Sequence, residues 1–191
     1  MFELFPSDEY LVYGIGYLAF AVMALSFQLN VRQHILYLQV VAMILLGVHL
    51  YFIGAMTGAG MMIVMITRNL VFAQKERFAW AANEKIFYGF LLAIVVMGTY
   101  FWTGLESLSA MTGSILATVA FWLSEPRKIR IVALLSALGW APYGLYTESF
   151  PLLLLQIFIV SSILIAMYRY DWGREKPASS KEAGQSARDS E

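Results

Sequence analysis

Seven apolar segments alternate with connections whose charge depends on whether they are odd or even, and that pattern restricts the chain more than any other feature. The segments run roughly over residues 9–28, 35–54, 57–75, 86–104, 107–124, 130–147 and 150–169. Each holds about 18–20 residues, enough to cross a hydrocarbon core of ~30 Å at 1.5 Å per residue. Backbone groups in lipid must be satisfied within the segment, so each is expected to be an α-helix. Arg32 falls in the first connection, Lys75, Arg77 and Lys85 frame the third, and Arg127, Lys128 and Arg130 fill the fifth. Arg169, Arg174, Lys176, Lys181 and Arg188 follow the seventh segment. The even connections and the N-terminus carry only acids: Glu3, Asp8, Glu9, Glu106 and Glu148. Every Lys and Arg except Arg68 therefore lies on one side of a seven-helix alternation, and six or eight crossings would scramble it. The positive-inside rule places the N-terminus outside and the C-terminus in the cytoplasm.

The formal net charge of zero hides this asymmetry. At 60% hydrophobic and 14% charged residues, the chain departs from a soluble domain in the direction of a membrane protein. The first basic residue is Arg32, so the N-terminus lacks the basic start of a signal peptide, and the first segment is expected to be a retained helix. There is no cysteine, which excludes disulfides and thiolate metal sites. His34 has no carboxylate or second histidine at ligand spacing, so no metal and no cofactor is expected. Ten methionines, clustered at Met61, Met62 and Met65, read as adaptable packing. The basic connections are explained by topology and attraction to anionic lipid, without nucleic acid. Residues 173–191 hold no core former and read as a disordered cytoplasmic tail after a single domain, 1–172.

The two ends of the apolar region resemble each other. Segments 1 and 5 start beside Glu9 and Glu106 and end in polar, basic clusters. Segments 2 and 6 finish in aromatics, and segments 3 and 7 carry Arg68 and Arg169. Segment 4 has no counterpart. The fold class is thus all-α, a polytopic membrane protein in a 3+1+3 parallel-repeat arrangement: first repeat 9–75, linker helix 86–104, second repeat 107–170. Parallel three-helix repeats joined by one helix are the build of SWEET-type sugar transporters, whose sites lie at the repeat interface. Gly47-Val48-His49 followed by Arg68, then Trp140 with Tyr143 and Arg169, is similar to the YgjV family of bacterial inner-membrane proteins, over roughly residues 10–172. The resemblance implies an inner-membrane protein grouped with PQ-loop and SWEET-like proteins. The chain departs from that pattern at Tyr143, where a second histidine is expected, at Gln156, where an acid often sits, and in lacking a Pro-Gln dipeptide after segments 1 and 5.

Gly47 to Asn69 reads as the end of one helix, a tight turn and most of the next, and it holds His49 and Arg68. Arg68 lies about 10 Å above Lys75 along the helix. Either it faces a wet cavity and meets a polar or anionic solute, or it is a snorkelled structural arginine. His49 reads as a solute ligand or as an interhelical hydrogen bond. Asn69 follows Arg68 by about 100°, so the two should not point into one narrow cavity. Gln156 supplies an amide in segment 7, and Trp140 and Tyr143 are deep enough to wall a site or pack a core. Pro142 interrupts segment 6 as a hinge or a static kink. Gly54 and Gly58 read as turn chemistry. No acid lies deep in any segment and no phosphate-cradling motif is present, which argues against a proton pump, an intramembrane enzyme or an ATP-driven machine. The expected function is a facilitative small-solute transporter working by alternating access. The site is expected between helices 2, 3, 6 and 7, lined by Arg68, His49, Tyr143 and Gln156. A receptor or partner- or lipid-binding bundle without transport is the competing expectation, and the lipid bilayer is the one partner implied in either case.

Overall fold

The computed structural model describes residues 9–26, 28 and 32–172, and the tail expected at 173–191 lies outside the described residues. The described residues form seven α-helices: α1 (Glu9–Ser26), α2 (Arg32–Phe52), α3 (Met56–Phe72), α4 (Glu84–Tyr100), α5 (Glu106–Trp122), α6 (Pro126–Tyr146) and α7 (Phe150–Met167). A 3-10 helix, Ala79–Ala82, interrupts the third connection, and a π-turn, Tyr168–Trp172, continues α7. On length and composition Glu9–Ser26, Gln33–Phe52, Pro126–Tyr146 and Phe150–Tyr170 can each cross a membrane, and Met56–Phe72 is a shorter apolar helix.

Helix ends follow local chemistry. Asn83 caps α4 by accepting from the Lys85 amide at 2.9 Å. α6 starts at Pro126, four residues before the expected 130, because proline at the first helical position has its φ preset and lacks only an amide that would be unpaired there. Arg127, Lys128 and Arg130 therefore lie in the first turns of α6 rather than in a loop.

Each helix packs on the next around a closed ring, α1–α2–α3–α5–α6–α7–α1, and α4 lies outside it against α3 and α5. α4 buries only Ile94 and Gly98, as suits a helix that otherwise meets lipid. The core inside the ring is built on Met23, Met43, Met61, Met62 and Met65 with Leu46 and Trp140. Unbranched thioethers fill the irregular space between helices that cross at different angles.

The α2–α3 and α6–α7 turns are the same object. Amides 53, 54, 55, 56 and 59 bond carbonyls 49, 51, 50, 54 and 55, and amides 147, 148, 149, 150 and 153 bond carbonyls 143, 145, 144, 148 and 149. The offset is a constant 94 residues, as from Gly54 to Glu148. The left-handed position is Gly54 in one turn (φ 79°) and Glu148 in the other (φ 52°). Glycine adopts that conformation freely, and a side chain there is strained by roughly 1–2 kcal/mol.

α5 and α6 approach backbone to backbone. A Cβ on Gly139 would lie 2.9 Å from the Gly113 Cα and 3.0 Å from its amide nitrogen, and neither atom can turn aside. Gly139→Ala should therefore destabilise the protein by about 1–3 kcal/mol through overpacking. Gly89→Ala, where nothing lies within 4 Å of the added carbon, should leave stability unchanged or slightly raised. Thermal unfolding of both variants in mild detergent checks the contrast.

Candidate functional site

The buried polar groups fall into two clusters at different depths. The first lies where the α2–α3, α4–α5 and α6–α7 connections converge, the face whose charges are Glu106 and Glu148. His49, fully buried near the end of α2, bridges three helices. Its Nδ1 donates to the Val12 carbonyl of α1 at 2.9 Å, and its Nε2 is 2.9 Å from the Ser149 hydroxyl at the start of α7. A carbonyl only accepts, so Nδ1 carries a proton, and when the ring is neutral Nε2 accepts from Ser149. Gly16 makes room for this ring, since a Cβ there would stand 2.9 Å from Nδ1 and 2.7 Å from Pro151.

Tyr143 makes the matching contact from α6. Its hydroxyl accepts from the Gly58 amide at 2.7 Å. Gly58 is in the first turn of α3, whose N-terminal amides have no partner within the helix, and Ala55 offers no side-chain cap. Tyr143 supplies the missing acceptor from another helix. Gly58 is thus a contact glycine inside α3, where a Cβ would lie 2.6 Å from the Tyr143 ring, and not the turn residue expected of it. Thr57 adds hydrogen bonds to the Phe101 carbonyl and, at 2.9 Å, to Ser107 of α5. Above the cluster, Ile53, Thr103, Glu106, Tyr143, Tyr146 and Glu148 are among the walls of a cleft of about 320 Å³.

The second cluster centres on Arg68, ten residues further along α3 and so about 15 Å deeper. Arg68 is fully buried. Its Nε and Nη2 donate to Asn69 Oδ1 at 3.2 and 2.8 Å, its Nη1 donates to Thr118 of α5 at 3.1 Å, and its guanidinium lies 4.7 Å from the centre of the Phe121 ring. Consecutive residues of a helix diverge, yet the arginine stem is long enough to curl back, so Arg68 and Asn69 share one hydrogen-bonded cluster. Asn69 in turn donates to Gln39 Oε1 of α2 at 3.4 Å. Arg68 does not snorkel. Lys75, one and a half to two turns further on, holds the surface position, donating to the Trp122 carbonyl at 3.1 Å with its ammonium 3.8 Å from the Trp122 ring centre.

The candidate residues therefore do not converge on one cavity. His49 and Tyr143 belong to the first cluster, Arg68 and Asn69 to the second, and the acidic-face cleft is lined by Tyr143 and not by Arg68. Trp140 and Gln156 lie between the clusters, each six residues from the acidic-face end of its helix and so about 9 Å below that face. Trp140 packs edge-on to Tyr143. Gln156 is buried on the α7 stripe with Leu152 and Leu155. Pro142 is inside α6 on its exposed side. Arg169 is exposed in the π-turn, with its guanidinium near the Tyr170 ring, so it is no structural counterpart of Arg68.

Sequence reasoning missed Ser149, Thr57, Gln39 and Thr118 as site residues. Part of the signal was present: Ser107, Ser114 and Thr118 recur at helical spacing along one face of α5. The choice of Gln39 over the neighbouring Gln33 depends on which face of α2 meets α3. Replacing Tyr143 with Phe keeps the ring and leaves the Gly58 amide buried without an acceptor. Tyr143→Phe should lower stability by about 1–3 kcal/mol, read as a shift of the unfolding midpoint in detergent, while Tyr146→Phe, at an exposed site, should not.

No curated protein and no solved structure matches the chain. The family model Imp-YgjV, bacterial inner membrane protein, matches residues 10–173, from the first turn of α1 through the π-turn after α7, so the chain belongs to the YgjV family of bacterial inner-membrane proteins.

Proposed function

We propose that this protein is a facilitative transporter of small polar solutes, built as two three-helix halves that rock against one another. The halves are α1–α3 and α5–α7, with α4 as the spare crossing that lets both point the same way. One observation carries the reading: the exchange across the acidic face is reciprocal. At the 94-residue offset of the two turns, His49 corresponds to Tyr143. His49 of the first half reaches Ser149 at the start of α7, and Tyr143 of the second half reaches Gly58 at the start of α3. Each half thus closes the helix start of the other. The ring order supports the same reading, since α3–α5 and α7–α1 are the two contacts between halves. Kinship with SWEET-type transporters, whose sites lie at such an interface, is part of this proposal.

In this reading the reciprocal pair is the outer gate and the 320 Å³ cleft its vestibule. Opening it costs two interhelical hydrogen bonds, each worth only about 0.6–2 kcal/mol in a membrane, which is small enough for solute binding to offset. The second cluster, some 15 Å deeper, is the inner layer. Among the described residues no carboxylate is buried, which favours passive equilibration over proton coupling.

Proteoliposomes offered sugars, amino acids and organic acids should show saturable flux of at least one class without ATP or a proton gradient, and Ser149→Ala should change its rate with little loss of fold. A flat panel from well-folded protein would overturn transport. Orientation is tested separately. The chain has no cysteine, so Glu148→Cys should react with an impermeant maleimide in intact spheroplasts, and Lys128→Cys only after lysis. The opposite pattern reverses the sidedness.

A further inference from the structure

We infer that Arg68 and Gln39, braced by Asn69 and Thr118, form a binding site for an oxyanion, a carboxylate or a phosphate group, reached from the basic face. The inference deepens the transport reading by naming a substrate class, and it rests on that reading for how the ligand is moved.

Arg68 carries more donors than its partners accept. A guanidinium presents five N–H groups. The three bonds from Arg68 go to two neutral oxygens, Asn69 Oδ1 and Thr118 Oγ1, so one N–H on Nη1 and one on Nη2 find no acceptor among the described residues. Among the described residues no carboxylate pairs with Arg68, although its side chain is fully buried. Buried charges are as a rule paired. Neutral dipoles and one ring face orient this cation without neutralising it.

Gln39 is an independent observation. It is 5% exposed, its Oε1 accepts the long bond from Asn69, and its Nε2 has no acceptor among the described residues. Among the described residues no fully buried polar side-chain atom lacks a partner. The Gln39 Nε2 is therefore not fully enclosed, and it belongs to the same amide whose Oε1 is joined through Asn69 to Arg68. The groups left over at this junction are all donors, and a ligand that satisfies donors alone is an anion with several acceptor oxygens. Carboxylate and phosphate both fit the flat, forked guanidinium.

The surroundings indicate the direction of approach. Gln33, Ala73, Glu76 and Arg77 line a cleft of about 350 Å³ between the start of α2 and the end of α3. Gln33 is six residues from Gln39 and Ala73 four from Asn69, so the cleft floor lies about 6–9 Å from the junction along those helices. Connections 73–85 and 123–130 carry six Lys or Arg against three Glu, whereas Glu106 and Glu148 face the other side with no Lys or Arg near them in sequence. Such a field concentrates anions at the basic face and repels them at the acidic one.

The test uses the full chain, purified in neutral detergent, with binding read by calorimetry and by thermal stabilisation. Probes are inorganic phosphate, lactate and succinate. Glucose and choline, and chloride at matched ionic strength, are controls. The expected result is saturable binding of at least one oxyanion, none of the controls, and weakening of at least about tenfold in Arg68→Gln, the order set by a hydrogen bond to a charged group. Gln39→Leu suits an apolar core and should weaken binding by roughly the same order, which keeps the test open if Arg68→Gln does not fold. Phosphatidylglycerol is a separate arm: stabilisation by that lipid alone, lost in the same variants, assigns the oxyanion to a headgroup phosphate. No saturable binding to any arm, or binding unchanged in both variants, overturns the inference. Flux of a neutral solute with no oxyanion binding sinks this site and leaves transport standing. Oxyanion binding without flux does the reverse.

Discussion

Helix starts inside a membrane are the constraint on which this structure turns. The first amides of a helix have no partner within it, and lipid offers none. Soluble proteins answer with a serine or aspartate at the cap or with water. Here α3 starts behind Ala55 without a side-chain cap, and α7 starts behind Ser149, whose hydroxyl is engaged by His49 rather than by its own helix. The Gly58 amide of α3 finds its partner on α6, so that helix start is finished only when the ring is assembled, while at α7 Pro151 removes one of the orphan amides and His49 ties the capping Ser149 to α2. Local structure and tertiary packing are thereby one event on the acidic face. The same constraint explains the glycines beside it: Gly58 and Gly16 lack side chains because Tyr143 and His49 need that space.

The clusters are separated by a layer with little polarity. Met61, Met62 and Met65 of α3 face Met23, Met43, Leu46 and Trp140 across the ring. A methionine layer is well packed but conformationally soft, because an unbranched chain has several rotamers of similar energy. The softness touches the polar groups directly, since Ser114 contacts Met65 Sδ at 3.8 Å and Asn69 contacts Met43 Sδ at 3.6 Å. Such weak sulfur bonds can be exchanged at small cost.

What the sequence discloses follows from the range of the force involved. Apolar runs and one-sided cations report on the chain's relation to a planar solvent, and both are summed over many residues. The seven segments accordingly match seven helices, with errors confined to ends such as Pro126, where a proline start reads as a loop. Side-chain partnerships are different, because they depend on rotation about each helix axis. Arg68 and Arg169 look alike in a list of segments, yet one is buried against Asn69 and Thr118 and the other is exposed. A single turn of helix separates an anchor from a core residue. His49 and Tyr143 were legible as candidates because polar groups are scarce there. Their acceptance of each other's halves was not, because Ser149 and Gly58 carry no distinctive signal.

The depth of Arg68 bears on purpose. An arginine near a helix end can reach water by extending its stem, and α3 ends only four residues beyond it at Phe72. The side chain instead curls inward to Asn69, and Lys75 holds the surface position against Trp122. A charge retained at such depth without a carboxylate is costly, by a few kcal/mol on insertion scales, and a leucine or methionine there would pack the same space without that penalty. Simple anchoring is already achieved by Lys75, so it does not account for Arg68. Arg68 instead ties α3 to α5 through Thr118, its charge held by neutral dipoles and one ring face.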